Sequence, residues 1–339
     1  MKKIFIILIV LTMMLLCSCN ENNSNTGTAL PDKAMESGEN SNKGVKGSEE
    51  QNNANDGQNS ENKNSENKSQ SAEKKSTPAE NKSAAENDST AKNSEEPKQT
   101  TLPEDEINKL NNDNFGWGFR KLQGTRPEFT EGQKSVMSKY GCIYIGNEND
   151  KKIYLTFDEG YENGYTASIL DTLKEKGVKA TFFITGPYLD KNTDLVKRML
   201  DEGHIVGNHT VHHPNMPSLV TAQKMEEEIT SLDRNFNEIF GKHMKYFRPP
   251  EGAYSERSLA ASNAAGYTTV LWSFAYRDWE TGNQKGSEYA FKSVTGYLHN
   301  GCVMLLHAVS SDNASALGNI IDEVRAQGYT FESLDDFAY

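Results

Sequence analysis

The sequence predicts an α/β protein, a single distorted (β/α) barrel of about seven repeats preceded by a disordered linker. Three observations carry this. Past residue 150, short apolar runs rich in β-formers alternate with segments of helical periodicity, which implies parallel strands joined by right-handed crossovers. The alternating region spans only about 190 residues, short of the roughly 250 of a full eight-fold barrel. Residues 20–100, by contrast, contain no Phe, Trp or Tyr and are built mainly from Asn, Ser, Glu, Lys and Ala. Such a composition cannot bury enough apolar area to offset its ordering entropy.

Taken in order, residues 1–19 carry Lys2 and Lys3, then an apolar run over 4–16. That run is shorter than the ~20 residues of a spanning helix and reads as a secretory signal. Leu16-Cys17-Ser18-Cys19 resembles a bacterial lipobox, which makes Cys19 the lipid-bearing mature N-terminus. A plain secretion signal or an uncleaved anchor is the alternative, and each exports the chain. In the linker, Asn59-Ser60-Glu61-Asn62-Lys63 repeats at once as Asn64-Ser65-Glu66-Asn67-Lys68. A flexible tether of this length has an end-to-end distance on the order of 50 Å. Residues 101–149 form an extension expected to pack on the barrel, with Phe115-Gly116-Trp117-Gly118-Phe119 as its aromatic cluster. Trp117 reads as a packing residue or a sugar-stacking platform.

The catalytic domain is expected over 150–339. A strand over 152–160 is followed by a helix capped at Asn163 and closed by Gly177. Strands over 180–185 and 204–208 flank a helix around Leu195–Leu200 that Gly203 stops. A long helix over 221–240 places Met225, Ile229, Leu232, Phe236 and Ile239 on one face. Strands at 246–247, 267–275, 302–306 and 329–331 alternate with helices over 255–265, 287–299 and 314–327. The formal net charge is −12, which argues against nucleic acid as a partner. Cys142 and Cys302 lie in apolar surroundings, as buried thiols; a bridge between them in an exported chain stays open.

Chemistry collects where strands end. Asp158 and Glu159 close the first strand, the place where α/β folds gather catalytic groups; alone, the pair also describes a solvated turn. His209 and His213 stand four apart, and on one helical turn two imidazoles so spaced grip one metal. The acidic pair is then a source of an oxygen ligand, and His212 falls out of phase. Arg248-Pro249-Pro250-Glu251-Gly252-Ala253-Tyr254 is a stiff loop whose glycine admits close approach, with Arg248 placed to hold a carboxylate ionised. Arg277-Asp278-Trp279 offers a charge pair and an aromatic plane, or a surface ion pair beside a packed indole. His307 ends an apolar strand, with Asp278 available to orient it as a general acid. These are the parts of metal-assisted hydrolysis.

In this order, Thr156-Phe157-Asp158-Glu159, His209-Thr-x-x-His213, Arg248-Pro-Pro-x-Gly-x-Tyr254, Asp278-Trp279 and Leu305-x-His307 resemble the five motifs of the polysaccharide deacetylases, carbohydrate esterase family four. Trp117-Gly-Phe, the run from Phe157 to Gly164 and Leu306-His-Ala-Val-Ser310 resemble the branch that makes muramic δ-lactam in spore cortex. The resemblance implies the following roles. His209 and His213 hold a divalent metal, typically zinc, and Asp158 is the general base, kept ionised by Arg248. The backbone N–H of Tyr254 shares the oxyanion, and His307, oriented by Asp278, protonates the departing amine. Trp279 and Leu305 shape the acetyl pocket. The implied partners are peptidoglycan glycan strands and, through the lipid on Cys19, the outer face of the membrane; a monomer is expected. One departure stands out: the family has a second Asp as third metal ligand where this chain has Glu159, so a weaker or differently completed metal site is expected. The readings left open are an N-acetylglucosamine deacetylase and a catalytically silent wall-binding lipoprotein.

Overall fold

The computed structural model describes residues 102–337; the signal, Cys19 and the linker lie outside the described residues. The first elements are α1 (Glu104–Ile107), the two-residue β1 (Phe115–Gly116) and α2 (Glu131–Lys139). A capping box between Thr130 and Gln133 starts α2. Ile107, Met137 and Tyr140 from this stretch bury into the core that the later strands share.

The central strand is β2 (Lys152–Glu159), buried from Ile153 onward. Continuous burial is what a parallel strand covered on both faces requires. Its side chains alternate: Ile153, Leu155 and Phe157 join the larger core beneath the helices, while Tyr154 joins a smaller cluster with Phe183, Tyr246, Val270 and Val303. The latter set fills the inside of the curled sheet.

After β2 come α3 (Thr166–Lys176), β3 (Thr181–Ile184), α4 (Gly186–Lys191), α5 (Thr193–Asp201), β4 (Ile205–Asn208) and α6 (Ala222–Phe240). Then follow β5 (Tyr246–Phe247), β6 (Ala253–Tyr254), α7 (Glu256–Ala264), β7 (Thr268–Thr269), α8 (Ser287–Thr295), β8 (Cys302–His307), α9 (Ser311–Ala326) and β9 (Thr330–Phe331). The seven-stranded sheet runs β7-β5-β4-β3-β2-β8, with β9 also on β2, and all its pairings are parallel. Beyond β7, Phe274 bridges Met304 in parallel, and the N–H of Leu305 donates to the Phe274 carbonyl at 2.9 Å. The chain after β7 thus meets the outer edge of β8, and the sheet curls into the distorted barrel that the alternation predicts.

Several local expectations change. Asn163 does not cap α3, whose N-cap is Tyr165; its amide donates instead to the Val309 carbonyl at 2.9 Å. Glu162 takes over the terminus, accepting from the N–H groups of Gly164 and Thr166. Helix α4 was not foreseen because Gly186-Pro187 looks like a breaker, yet proline within the first turn leaves no needed donor unpaired. Ile239 is 43% exposed rather than inward. The strand expected over 267–275 contracts to β7, since Val270 leaves to bridge Ile143 and Phe274 to bridge Met304. Cys142 and Cys302 are buried free thiols, and burial pushes both up to about 12.

Candidate active site

Parallel register brings the chemistry together. Asp158 on β2 stands directly opposite His307 on β8. Both open into a cleft of ≈ 970 Å³ at the C-terminal ends of the strands, lined also by His209, His213, Trp279 and Leu305.

Asp158 is held by a buried cation. Arg248, fully buried, donates from Nη1 to Asp158 Oδ1 at 2.7 Å. Its Nε donates to the Val270 carbonyl at 3.1 Å, and its guanidinium lies 4.1 Å from the centroid of Phe183. Burial pushes the Asp158 carboxyl up, but the charges of Arg248, His209 and His307 outweigh it and hold the group below the usual carboxylate range. Oδ2 is left facing His209 Nε2 at 3.6 Å.

The histidines are not on a helical turn, contrary to expectation. Thr210 and His213 take left-handed backbone, with φ of 70° and 57°, and the loop doubles back so that the two rings lie 4.8 Å apart at 76°. Such backbone persists only where its surroundings fix it. Here the N–H of Thr210 donates to Asn208 Oδ1 at 2.9 Å and that of His213 to Thr210 Oγ1 at 2.9 Å. His209 Nδ1 meets the Arg248 carbonyl at 2.8 Å. A carbonyl only accepts, so Nδ1 carries the proton and Nε2 presents a lone pair. Burial lowers His209 to about 4, against the pull of Asp158. His212 is drawn off to Glu228 Oε1 at 2.8 Å.

Across the cleft, His307 Nδ1 meets Asp278 Oδ1 at 2.8 Å. The other oxygen of this buried aspartate accepts from the His307 backbone N–H at 2.8 Å and from Asn313 Nδ2 at 2.6 Å. Burial alone would lower the His307 imidazole, but Asp278 dominates and raises it, so the Nε2 that faces the cleft keeps its proton to higher pH than a free imidazole would. The Trp279 ring lies 5.5 Å from that of His307. Asn313 was missed by sequence reasoning, although Ser310-x-x-Asn313 at the start of α9, with Ser310 as its N-cap, follows His307 closely enough to have signalled it.

Tyr254 does not line the cleft. Pairing with Phe115 in a two-stranded ribbon packs its ring on Phe115 and Trp117, away from the lining; the oxyanion role expected of this residue belongs to its backbone N–H, not to the ring. Trp117 is buried, donating Nε1 to the Trp272 carbonyl at 2.8 Å. Gly252 allows this packing: a Cβ there would stand 2.8 Å from Trp272 and 2.9 Å from Trp117, at φ +64°.

The imidazoles fit a divalent metal, and Glu159 does not complete it. Adjacent strand residues point to opposite faces, so Glu159 turns away from the cleft and is fully buried. Its oxygens lie 3.5 Å from Thr166 Oγ1. Burial, reinforced by Glu162 and Asp158, raises its carboxyl well above the usual range, which disfavours the ionised form that a metal ligand takes. Among the described residues, no three His, Cys, Asp or Glu side chains converge into a group that holds a metal.

Residues 145–270 match the family model described as polysaccharide deacetylase. The chain is 44% identical over 230 residues to the peptidoglycan-N-acetylmuramic acid deacetylase PdaA of Bacillus subtilis, covering 67% of this chain and 87% of that protein. The solved structure of B. subtilis PdaA, described as a family 4 carbohydrate esterase, superposes with a TM-score of 0.65 over 67% of this chain and 98% of that one. A family 4 carbohydrate esterase from Bacillus anthracis is 43% identical with a TM-score of 0.57, covering 67% and 97%. With the sheet and the Asp158–Arg248 and His307–Asp278 pairs arranged as above, these likenesses place the chain in the polysaccharide deacetylase family of enzymes, carbohydrate esterase family 4.

Proposed function

We propose that the protein removes the N-acetyl group from peptidoglycan amino sugars, above all from N-acetylmuramic acid lacking its stem peptide, leading to muramic δ-lactam in spore cortex. The observation that carries the reaction is the facing pair: Asp158 paired with Arg248, and His307 oriented and raised by Asp278, on neighbouring strands of one cleft. Likeness to PdaA supports the muramic substrate.

Asp158 Oδ2 takes a proton from the attacking water while Oδ1 stays fixed on Arg248. The hydroxide adds to the acetamide carbonyl carbon, and His307 Nε2 gives its proton to the nitrogen as the C–N bond breaks. Acetate and a free amine result; in muramic acid that amine sits beside the lactyl carboxyl, with which it joins as a lactam with loss of water. Leu305, buried in the cleft wall, offers the acetyl methyl an apolar contact. A divalent metal, zinc in our reading, would be held by His209 and His213 and would polarise the acetamide carbonyl. With two protein imidazoles rather than the usual three protein ligands, it would bind more weakly than in a complete site. We further place the enzyme as a monomer outside the cell, tied to the membrane by lipid on Cys19.

Acetate release from intact peptidoglycan, from strands stripped of stem peptides and from N-acetylglucosamine oligomers, each with zinc and with chelator, tests this. Release confined to stripped strands, lost with chelator and in Asp158→Asn, is the expected result. Preference for the glucosamine oligomers would overturn the muramic assignment, and no release from any substrate would overturn the activity.

A further inference from the structure

We propose that Arg277, with Lys121, forms a subsite for a carboxylate carried by the substrate beside the scissile acetamide. The inference rests on the muramic reading above and adds to it the residues that would recognise that sugar.

Both cations line the catalytic cleft, in a chain whose formal net charge is −12. The carboxylates at the reaction centre are already answered, Asp158 by Arg248 and Asp278 by His307 and Asn313. Glu251 is the remaining carboxylate of the lining. Arg277 immediately precedes Asp278, and its side chain is 70% exposed. Its ion-pair partner is Glu280 at 3.5 Å, too long for a sound hydrogen bond and, at this exposure, worth little. The guanidinium fork is therefore open toward solvent.

Lys121 reaches the same segment from the N-terminal extension. Its Nζ donates to the Ala275 carbonyl, two residues before Arg277, and lies 5.2 Å and 5.8 Å from the ring centroids of Phe274 and Tyr297. These contacts position the ammonium; burial lowers its pKa, and the negative charge of Asp278 works against that lowering. The acetamide itself carries no charge for these two cations to pair with. Muramic acid without its peptide carries a lactyl carboxylate on the carbon next to the acetamido carbon, the charge that distinguishes it from glucosamine. A planar fork matches a carboxylate in two-point contact, and a lysine adds a point charge.

The test uses stripped glycan strands in two forms, with free lactyl carboxylates and with the same groups converted to neutral methylamides. Acetate release is followed for wild type, Arg277→Gln, Arg277→Lys and Lys121→Gln. Charged hydrogen bonds of this kind correspond to about ten- to hundred-fold in kcat/KM, so wild type is expected to prefer the carboxylate form by that order, mainly through KM. Arg277→Gln should bring the ratio of the two substrates close to one, Arg277→Lys should restore part of it, and added salt should erode the wild-type preference. Wild type acting equally on both forms, or Arg277→Gln and Lys121→Gln both keeping the wild-type ratio, would overturn the subsite while leaving the muramic reading intact. Wild type inactive on both forms would overturn the two together.

Discussion

Replacing Asp278 by Asn tests the acid side of the cleft with almost no change of shape. Three donors converge on this carboxylate: His307 Nδ1 and Asn313 Nδ2 at 2.8 and 2.6 Å, and the His307 backbone N–H at 2.8 Å. A carboxylate accepts all three. A carboxamide has one oxygen, so its NH2 either faces Asn313 and the His307 N–H, leaving donors unpaired, or faces His307 Nδ1, which must then give up its proton to accept. Losing the charged hydrogen bond in either arrangement is expected to cost about 1–3 kcal/mol of denaturant-measured stability. His307 also loses the negative charge that raises it, so it releases its proton at lower pH. A raised imidazole contributes stability that is fully present below its unfolded pKa and lost as pH rises through the folded one. The gap between wild type and variant is therefore widest in acid and narrows as pH rises. General acids contribute about 10²–10⁴-fold to rate, and a misoriented, less charged imidazole forfeits most of that; kcat for acetate release should fall by roughly 10²-fold. The basic limb of the pH–rate profile should move to lower pH. A folded Asp278→Asn protein whose basic limb stays in place would refute the assignment of His307 as the acid.

Further outcomes follow from the other buried groups. Arg248→Met leaves the Asp158 carboxylate buried without its cation and should destabilise the fold by about 3–5 kcal/mol, read by denaturant titration. Glu159→Gln should leave zinc affinity unchanged in calorimetric titration, whereas His209→Gln should lower it by more than about tenfold. Because Glu159 is raised, the unfolded chain gives up that proton first and wild-type stability falls as pH rises above the ordinary glutamate value. The variant escapes this, so its Tm relative to wild type should rise with pH. Gly252→Ala should cost more than about 1 kcal/mol in thermal unfolding, since the left-handed backbone, the Trp272 indole and the Trp117 Cβ all oppose an added Cβ.

Much of this protein was legible in one dimension. Alternating periodicities give the parallel sheet, because a strand buried on both faces and a helix packed on it leave different hydrophobic spacings. The ends of those strands mark the cleft, which Asp158, His209, Trp279, Leu305 and His307 line, with Arg248 and Asp278 behind them on Asp158 and His307. Even the fate of Glu159 was present in the period of two: once β2 runs through residue 159, its side chain must oppose that of Asp158. What the sequence could not decide was how distant residues meet. The His209–His213 loop is shaped by left-handed residues and by a carbonyl 39 positions away. The Tyr254 ring packs beside Phe115 because an extension residue pairs with its strand. The charge of Asp158 depends on a guanidinium 90 positions further on. Local propensity carries no information about such contacts; burial and the closing of the sheet create them, and with them the ionisation states on which the chemistry rests.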